Sequence, residues 1–253
     1  MRVVCKDLSM TYNTQEESIL ALQNVNFEIG EQEFLCILGP SGCGKTTLLK
    51  LISGLLKPTS GKVIYQGEKS GKPLTSVVFQ EHGIFPWLNV LDNVSFGLEM
   101  RGIPKEERYP ASKGFIEKFG LSKFIKNYPH ELSVWMKQRV GLARAFVNDP
   151  EILLMDEPFG ALDAQTKLIL QEELLRIWKD TRKSVIYVTH DIEEAVLLGD
   201  RVIVMTQRPG RVKKDISINL KRPRSLEIES SEEFVNLKMD IWNLIKEEVQ
   251  IST

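Results

Sequence analysis

Residues 39–46 read Gly-Pro-Ser-Gly-Cys-Gly-Lys-Thr, and this stretch decides the fold. The spacing of its glycines before Lys45 and Thr46 is the pattern of a phosphate-binding loop. The apolar run from Glu33 to Leu38 precedes it, and a helical pattern from Thr46 to Ile52 follows it. A glycine-rich turn that arose by chance would not require an apolar strand before it and a helix after it. The stretch therefore predicts a buried strand, a loop that wraps phosphates, and a helix.

The loop residues each have a use toward a bound triphosphate. Glycines let backbone N–H groups point inward, Lys45 neutralises the β- and γ-phosphates, and the Thr46 hydroxyl can ligate Mg²⁺. The loop therefore predicts a bound nucleoside triphosphate with Mg²⁺ as cofactors, and the family resemblance described below implies that the nucleotide is ATP. The residues predicted to contact the nucleotide here are Gly39, Pro40, Ser41, Gly42, Cys43, Gly44, Lys45, Thr46 and Thr47.

Further apolar runs predict a parallel sheet around this loop. They occur at Glu151–Met155, Ser184–Thr189 and Arg201–Met205, and helical patterns at Gln165–Asp180 and Ile192–Leu198 alternate with them. Strands that alternate with helices are typical of a parallel sheet covered on both faces. The fold class predicted is α/β, a P-loop NTPase with a RecA-like parallel sheet core.

Three other segments differ from this core. Strand patterns at Val3–Met10 and Val25–Ile29 predict an N-terminal antiparallel β subdomain, because Val25, Phe27 and Ile29 share one face. Helical periodicity dominates between residues 87 and 149, which predicts an inserted α-helical subdomain. The expected domains are a core of residues 1–86 and 150–220, the helical subdomain 87–149 and a C-terminal helical tail 221–253. Apolar residues at helical spacing mark the tail: Phe234, Leu237, Ile241, Leu244 and Ile245.

Composition excludes several classes of protein. The chain has 253 residues, 42% hydrophobic and 26% charged, with a formal net charge of -1. Disorder is therefore excluded, and no basic field is available to bind nucleic acid. No apolar window is long enough to span a membrane, and charge interrupts the start before a signal peptide could form, so we expect a cytoplasmic protein. The three cysteines, Cys5, Cys36 and Cys43, are read as free thiols.

Polar residues follow two of the predicted strands. Asp156 and Glu157 come after the run at 152–155, and they could hold Mg²⁺ and polarise an attacking water. His190 follows the run at 184–189 and could reach a γ-phosphate, since ligands of open α/β sheets bind beyond the carboxyl ends of the strands. Without the phosphate-binding loop, the acidic pair would be interpreted as part of a solvated turn and His190 as a structural residue. Their combination with the phosphate-binding loop favours catalytic roles.

With these motifs in this order, nearly the whole chain resembles the ATP-hydrolysing subunit of ATP-binding-cassette (ABC) transporters. The resemblance implies that Tyr12 stacks on adenine, Gln80 links the Mg²⁺ site to the membrane partner, and Asp163 is the aspartate of the D-loop. Without it, Tyr12 would be a surface ring and Gln80 a solvated strand end. The implied catalytic residues are Lys45, Gln80, Glu157 and His190, and the implied Mg²⁺ ligands are Thr46, Gln80 and Asp156.

The segment Phe79–Leu88 and the segment Gln207–Arg211 resemble importer ATPases for nitrate, sulfonates, taurine and similar small solutes. The implied partners are a second copy of the chain or a paralogous cassette, integral-membrane permease subunits, and indirectly a periplasmic or lipid-anchored solute-binding protein. The implied location is peripheral, at the cytoplasmic face of the membrane, and no nucleic acid is expected. Phe85, Trp87 and Leu88 are predicted to offer an apolar groove to a permease helix; the alternative is ordinary core.

One segment departs from the family pattern. The signature segment, Leu132–Gln138, reads Leu-Ser-Val-Trp-Met-Lys-Gln, whereas the family pattern has two glycines after the serine. Ser133 is expected to contact the partner's ATP and to cap the following helix. Val134 and Trp135 are expected to obstruct close approach to the γ-phosphate, which favours a hydrolysis-impaired, regulatory cassette as the alternative function. The opposite interpretation is that Trp135 packs locally without consequence.

Overall fold

The computed structural model describes residues 1–13, 17–67, 71–80 and 83–250, and the chain divides into two compact units. The first unit contains residues 1–69 and 182–253, and the second contains residues 70–181. Across the described ranges, no helix has the length and apolar character needed to cross a membrane. Cys5, Cys36 and Cys43 are thiols, as predicted, and the structure places all three in buried positions.

The strands, in chain order, are β1 (Arg2–Asn13), β2 (Ser18–Ile29), β3 (Phe34–Leu38), β4 (Ser60–Gln66), β5 (Thr75–Val78), β6 (Ile152–Asp156), β7 (Ser184–Thr189), β8 (Arg201–Met205) and β9 (Val212–Ser217). The helices are α1 (Lys45–Ile52), α2 (Val90–Met100), α3 (Lys105–Lys118), α4 (Val134–Val147), α5 (Ala164–Thr181), α6 (Ile192–Leu198) and α7 (Glu232–Gln250). Short 3₁₀ turns occur at Ser122–Phe124, Pro129–Glu131 and Leu226–Ser230.

An antiparallel sheet in the first unit has the order β2-β1-β4. Its β2 strand buries Val25, Phe27 and Ile29 on one face, which confirms the alternation seen in the sequence. Where β4 crosses β1, Gly61 has φ 77°, and a Cβ there would lie 2.2 Å from the carbonyl oxygen of Asp7. Only glycine allows this close approach.

The core sheet of the first unit follows the order β7-β3-β8-β9. β3 pairs in parallel with both β7 and β8, and β9 is antiparallel to β8. Every residue of β3 and of β7 is buried, as expected for strands covered on both faces. Because β3 and β7 are parallel, the loop after Leu38 and the residue after Thr189 emerge at the same edge of the sheet.

The second unit combines a strand pair with a group of helices. β5 and β6 are parallel neighbours, and β6 is buried along its whole length. α2 packs against both α3 and α4. Taken with the first unit, these elements confirm the predicted α/β class with an antiparallel sheet and a largely parallel core sheet.

The C-terminal helix α7 docks on the first unit through the apolar face that the sequence predicted. Phe234 and Ile241 are fully buried, and α7 contacts α6 and β8. The last three residues of the predicted tail, 251–253, lie outside the described residues. One residue of the buried face is polar: Glu248, two helical turns after Ile241, is only 7% exposed.

Candidate nucleotide-binding site

The loop between β3 and α1 has the backbone of a phosphate cradle. Gly42 and Gly44 have φ values of 76° and 103°, which L side chains rarely adopt. A Cβ on Gly44 would also lie 2.7 Å from Cδ2 of Leu22 on β2. The glycines therefore serve both the turn and its packing against the antiparallel sheet, and α1 begins at Lys45 with its N-terminus at the loop.

Lys45 holds this loop in shape from within. Its side chain is buried, and Nζ donates hydrogen bonds to the carbonyl oxygens of Gly39 at 2.8 Å and Pro40 at 3.0 Å. A buried ammonium ion at a helix N-terminus is a strong site for phosphate oxygens. The arrangement can bind a polyphosphate, which is the chemistry expected from the sequence.

The oxygens available for Mg²⁺ suit that ion. Thr46 is exposed on the first turn of α1, and Asp156 ends β6 with its carboxylate nearly buried. Mg²⁺ is usually held by one or two protein oxygens together with phosphates and water rather than by a protein cage. Within the described residues, no group of three His, Cys, Asp or Glu side chains could hold a metal ion. Thr46 in the first unit and Asp156 in the second unit each carry an oxygen of the kind that Mg²⁺ prefers.

Tyr12 and Thr47 lie together beside the loop. The Tyr12 hydroxyl is 3.2 Å from Oγ1 of Thr47, and the ring, at the end of β1, is 36% exposed. An exposed aromatic ring next to the phosphate cradle can stack on a base. The structure therefore brings together Tyr12 and the loop residues that the sequence predicted.

His190 follows β7 and is exposed at the edge of the core sheet from which the phosphate-binding loop emerges. Asp191 caps α6 by accepting the N–H of Glu194 at 3.2 Å. The buried Glu194 carboxylate in turn accepts hydrogen bonds from the Tyr187 hydroxyl, at 2.7 Å, and from the Thr189 hydroxyl. Burial and the Glu194 carboxylate raise the pKa of Tyr187 well above its ordinary value. This network fixes the strand end that carries His190.

Sequence reasoning missed Glu194. The spacing of Asp191 and Glu194 is that of a capping box, in which the glutamate reaches back to the helix start. In the structure the Glu194 carboxylate contacts β7 instead. The sequence did carry one signal for this residue, which is the helix-capping pattern directly after His190.

The acidic pair of the second unit lies at the end of β6. Asp156 is the last strand residue, and Glu157 follows it with φ 43°, in the left-handed region that non-glycine residues rarely occupy. Strained backbone of this kind clusters at functional sites because it aims a side chain in a fixed direction. The backbone at Glu157 therefore sets the direction of its side chain at the end of β6.

Gln80 and Asp163 also lie in the second unit. The amide nitrogen of Gln80 is 3.6 Å from where a Cβ would stand on Gly160. Asp163 caps α5, since its Oδ1 accepts the N–H of Thr166 at 3.0 Å. Hydrogen bonds from the backbone and side chain of Thr166 hold the pKa of Asp163 below its usual value. Asp163 thus serves as a helix cap, and the Gln80 side chain lies close to Gly160.

The signature segment is the start of α4. Ser133 occupies the N-cap position, but its side chain makes no capping hydrogen bond, so that part of the prediction was wrong. Val134 is 47% exposed, and the half-buried ring of Trp135 stacks on Arg139, whose Cζ lies 4.5 Å from the ring centroid. Arg139 also pairs with Glu173 at 2.6 Å. Trp135 is thus packed locally, whereas Val134 faces solvent.

An apolar cavity of about 360 Å³ lies in the second unit, between β5, α2 and α4. Arg144 bridges its edge by donating to the carbonyl oxygen of Gly83 at 2.9 Å, with its Cζ 5.4 Å from the Phe85 ring centroid. The predicted groove is corrected in part: Phe85 lines the cavity, whereas Trp87 and Leu88 do not. Trp87 is 70% exposed beside Phe85 and so is not core. Glu81 and His82 of the same segment lie outside the described residues.

Comparison with known proteins agrees with this fold. The family model described as ABC transporter matches residues 22–160. Among similar proteins, the chain is 49% identical to an uncharacterized ABC transporter ATP-binding protein of Methanocaldococcus jannaschii, covering 98% of this chain and 93% of the relative. It is 41% identical to the nitrate import ATP-binding protein NrtD of Synechocystis, covering 97% of this chain and 96% of the relative. The aliphatic sulfonates import ATP-binding protein SsuB of Bacillus cereus is 43% identical, with 92% of each chain covered.

Solved structures agree as well. The dimeric structure of MJ0796, a bacterial ABC transporter cassette, superposes with TM-score 0.76 at 34% identity and covers 87% of this chain and 100% of that one. The same cassette has been solved as a dimer in a post-hydrolysis state bound to ADP and Pi, with equal similarity. The fold and the phosphate cradle define a nucleotide-binding ATPase of the α/β class. The chain belongs to the ABC transporter family, as an ATP-binding subunit.

Proposed function

We propose that the chain is the ATP-hydrolysing subunit of an importer for a small solute such as nitrate, a sulfonate or taurine. The observation that carries this proposal is the Lys45 cradle at the start of α1, in a chain similar along nearly its whole length to nitrate and sulfonate import subunits. Two copies, or one copy and a paralogous cassette, close around ATP. ATP can drive this closure only because it binds the closed state more tightly, and hydrolysis then releases it.

Within this proposal each site residue has a stated task. Lys45 and the loop N–H groups bind the β- and γ-phosphates, Tyr12 stacks on the base, and Thr46 and Asp156 are the oxygens for Mg²⁺, aided by Gln80. Glu157 accepts a proton from the attacking water, and His190 donates a hydrogen bond to the γ-phosphate. When bound, Mg²⁺ supplies charge neutralisation at the phosphates. Ser133 and Asp163 act on the nucleotide held by the partner protomer.

The apolar cavity is the proposed contact with the permease. Phe85 and Phe96 have ring centroids 4.4 Å apart in its wall, and Asn93 holds the adjoining turn by accepting the Phe85 N–H at 2.7 Å. A fixed apolar hollow with an arginine at its edge suits an amphipathic helix. A permease helix seated there would place the chain at the cytoplasmic face of the membrane, with the solute-binding protein acting on the far side.

The signature segment supports a second candidate function. A nucleotide-binding cassette that hydrolyses ATP poorly would regulate a competent partner instead of driving transport alone. The observation that favours it is Val134, whose branched side chain stands exposed on the first turn of α4 where the family pattern has glycine. Purification as a heterodimer with a competent cassette would support this candidate.

Lys45→Ala is the direct test of the nucleotide site. Loss of a buried, hydrogen-bonded charge costs about 2 kcal/mol or more, so ATP affinity should fall at least ~30-fold by titration calorimetry. Lys50→Ala, on the last turn of the same helix, is the matched control and should bind as the wild type does. Absence of binding to the wild-type chain at millimolar ATP would overturn the proposal.

Trp87→Ala tests the permease contact. Trp87 lies beside Phe85 at the rim of the cavity, and a tryptophan that a partner buries is often a hot spot worth about 2 kcal/mol or more. Affinity for the solubilised permease should therefore fall ~30-fold or further. ATP affinity and thermal stability should be unchanged, because the side chain is mostly exposed. Trp242→Ala on α7 removes a tryptophan that is 49% exposed and serves as control. Equal permease binding by both variants would contradict this assignment.

A further inference from the structure

The loop between β8 and β9, residues 206–211, lies beside the phosphate-binding loop. Gln207 and Arg208 share with Ser41 and Gly42 a cavity of about 290 Å³. Arg208 is exposed there. The tip of the phosphate-binding loop thus faces a second segment that carries a positive charge.

Gly210 ties the 206–211 loop to the same region. A Cβ on Gly210 would lie 2.1 Å from the carbonyl oxygen of Cys43, inside the phosphate-binding loop. The Gly210 N–H donates to the carbonyl oxygen of Ala21 at 2.9 Å, and its own carbonyl oxygen accepts the Gln23 N–H at 3.0 Å. Packing this close leaves no room for one loop to move without the other.

The helix α7 holds the opposite end of the 206–211 loop. Glu248 accepts the backbone N–H of Gln207 through Oε2 at 2.9 Å, and its Oε1 accepts a hydrogen bond from Nζ of Lys213 at 2.6 Å. Lys213 also donates to the carbonyl oxygen of Leu244 at 2.9 Å. Burial would raise the pKa of Glu248, but the bonds from Lys213 and Gln207 outweigh it and keep that pKa below its usual value.

Burying the Glu248 carboxylate costs folding free energy, so stability does not explain why a glutamate occupies this position. Glu248 follows Phe234 and Ile241 at seven-residue intervals on the buried face of α7, where an apolar side chain would pack without any loss of hydration. A carboxylate is useful there because it accepts the backbone N–H of the half-buried Gln207, which an apolar side chain could not do. The residue therefore fixes where Gln207 lies.

We propose that Glu248 is a positioning residue for nucleotide binding. By holding Gln207 it sets the 206–211 loop against the phosphate-binding loop, and it keeps the Arg208 guanidinium at the cavity beside Ser41 and Gly42. There Arg208 adds a second positive charge that attracts the polyphosphate. The inference rests on the proposed binding of ATP at residues 39–47 and assigns to α7 a role in setting its affinity.

The test compares two neighbouring glutamates that share one lysine. Glu247 pairs with Lys213 at 2.7 Å, but its side chain is 64% exposed to solvent. We expect Glu248→Ala to weaken binding of Mg-ATP to the full-length chain about tenfold by calorimetry, the usual scale for a lost hydrogen bond to a charged group. Glu247→Ala should remain within about twofold of wild type.

Two further variants separate positioning from simple loss of stability. Glu248→Gln keeps an oxygen that can accept the Gln207 N–H and should restore most of the affinity, whereas Glu248→Leu fills the site without an acceptor and should bind like Glu248→Ala.

Arg208→Ala should also weaken binding of Mg-ATP. The double variant Arg208→Ala/Glu248→Ala should lose less affinity than the two single losses combined, because both substitutions act through the same guanidinium.

The outcomes distinguish this inference from the proposed function. If the wild type does not bind Mg-ATP, the proposed function fails. If the wild type binds and Glu248→Leu binds equally well, the positioning role is overturned and the proposed function stands. Additive losses in the double variant would overturn the link between Glu248 and Arg208.

Discussion

Glu157→Gln is expected to lower the ATP turnover of this chain by ~10²–10⁴-fold, the range typical for loss of a general base. ATP affinity should stay within about twofold, because glutamine has the shape of glutamate and the phosphates are bound by Lys45 and the loop. The left-handed backbone at residue 157 is kept, so the amide should occupy the place of the carboxylate. With glycines at 134 and 135, which remove the expected obstruction, the Glu157→Gln variant should therefore trap the ATP-bound, closed dimer.

The measurements are steady-state phosphate release and dimer formation with ATP. Glu151→Gln, at the other end of the same strand segment, is the matched control and should hydrolyse ATP at the wild-type rate. Because the wild-type rate is itself expected to be low, the substitution is best repeated in the protein with glycines at 134 and 135. Equal turnover with and without the Glu157 carboxylate, in both backgrounds, would remove it from the role of general base.

The strands buried on both faces were predictable from sequence, and the edge strands were not. β3, β6, β7 and β8 are continuous apolar runs, so they appear at the positions expected. β4, β5 and β9 were missed because their residues are mostly polar or half-exposed, and edge strands need no apolar alternation. Their pairing depends on neighbours distant in sequence, such as Asp7 opposite Gly61.

The residues of the candidate site divide in the same way, into those that a local sequence pattern predicts and those that it does not. Loop residues that bind through the backbone follow a local pattern, so residues 39–47 could be read directly from the sequence. Glu194 and Glu248 could not, because a buried carboxylate is recognised by its partners, and these are supplied by other elements: Tyr187 for the first, Gln207 and Lys213 for the second. Sequence periodicity found the apolar face of α7 but treated its polar member as exposed.

The apolar cavity of the second unit was only partly predictable, because its walls are brought together by tertiary packing. Phe85 was named from its local motif, but the facing wall is formed by Phe96 on α2 and Ala145 on α4. Their approach depends on how these helices pack. Trp87 was grouped with Phe85 by proximity in sequence, yet its ring points to solvent at the rim.

Restoring the two glycines, Val134→Gly with Trp135→Gly, is expected to raise ATP turnover by ~10²–10³-fold, the effect usually seen for one oriented transition-state donor. The first N–H groups of a helix have no intrahelical acceptor and can point at a phosphate. In α4 the first helical bond runs from Lys137 N–H to the Ser133 carbonyl oxygen, at 3.0 Å, so the groups at 134–136 precede it. The exposed Val134 side chain stands at these groups, and in the proposed dimer it would keep the partner's γ-phosphate away.

The two single variants show how much each substitution contributes to the gain in ATP turnover. Val134→Gly should give most of the gain, because Trp135 already lies against Arg139 and leaves the helix N-terminus open. Trp135→Gly should instead lower thermal stability, since it removes a cation–π contact of ~0.5–1 kcal/mol and places glycine in a helix at up to ~1 kcal/mol. Lys137→Gly, on the same turn, controls for helix destabilisation and should not raise turnover.

Phosphate release by the purified chain, alone and with its permease, measures these rates, and thermal unfolding without nucleotide measures the cost in stability. A gain only with the permease present would mean that the glycines act after docking, still at the γ-phosphate. Equal rates for the native and glycine-restored proteins under both conditions would mean that Val134 and Trp135 obstruct nothing. The chain would then be an ordinary importer motor whose signature tryptophan serves only to hold Arg139 against Glu173.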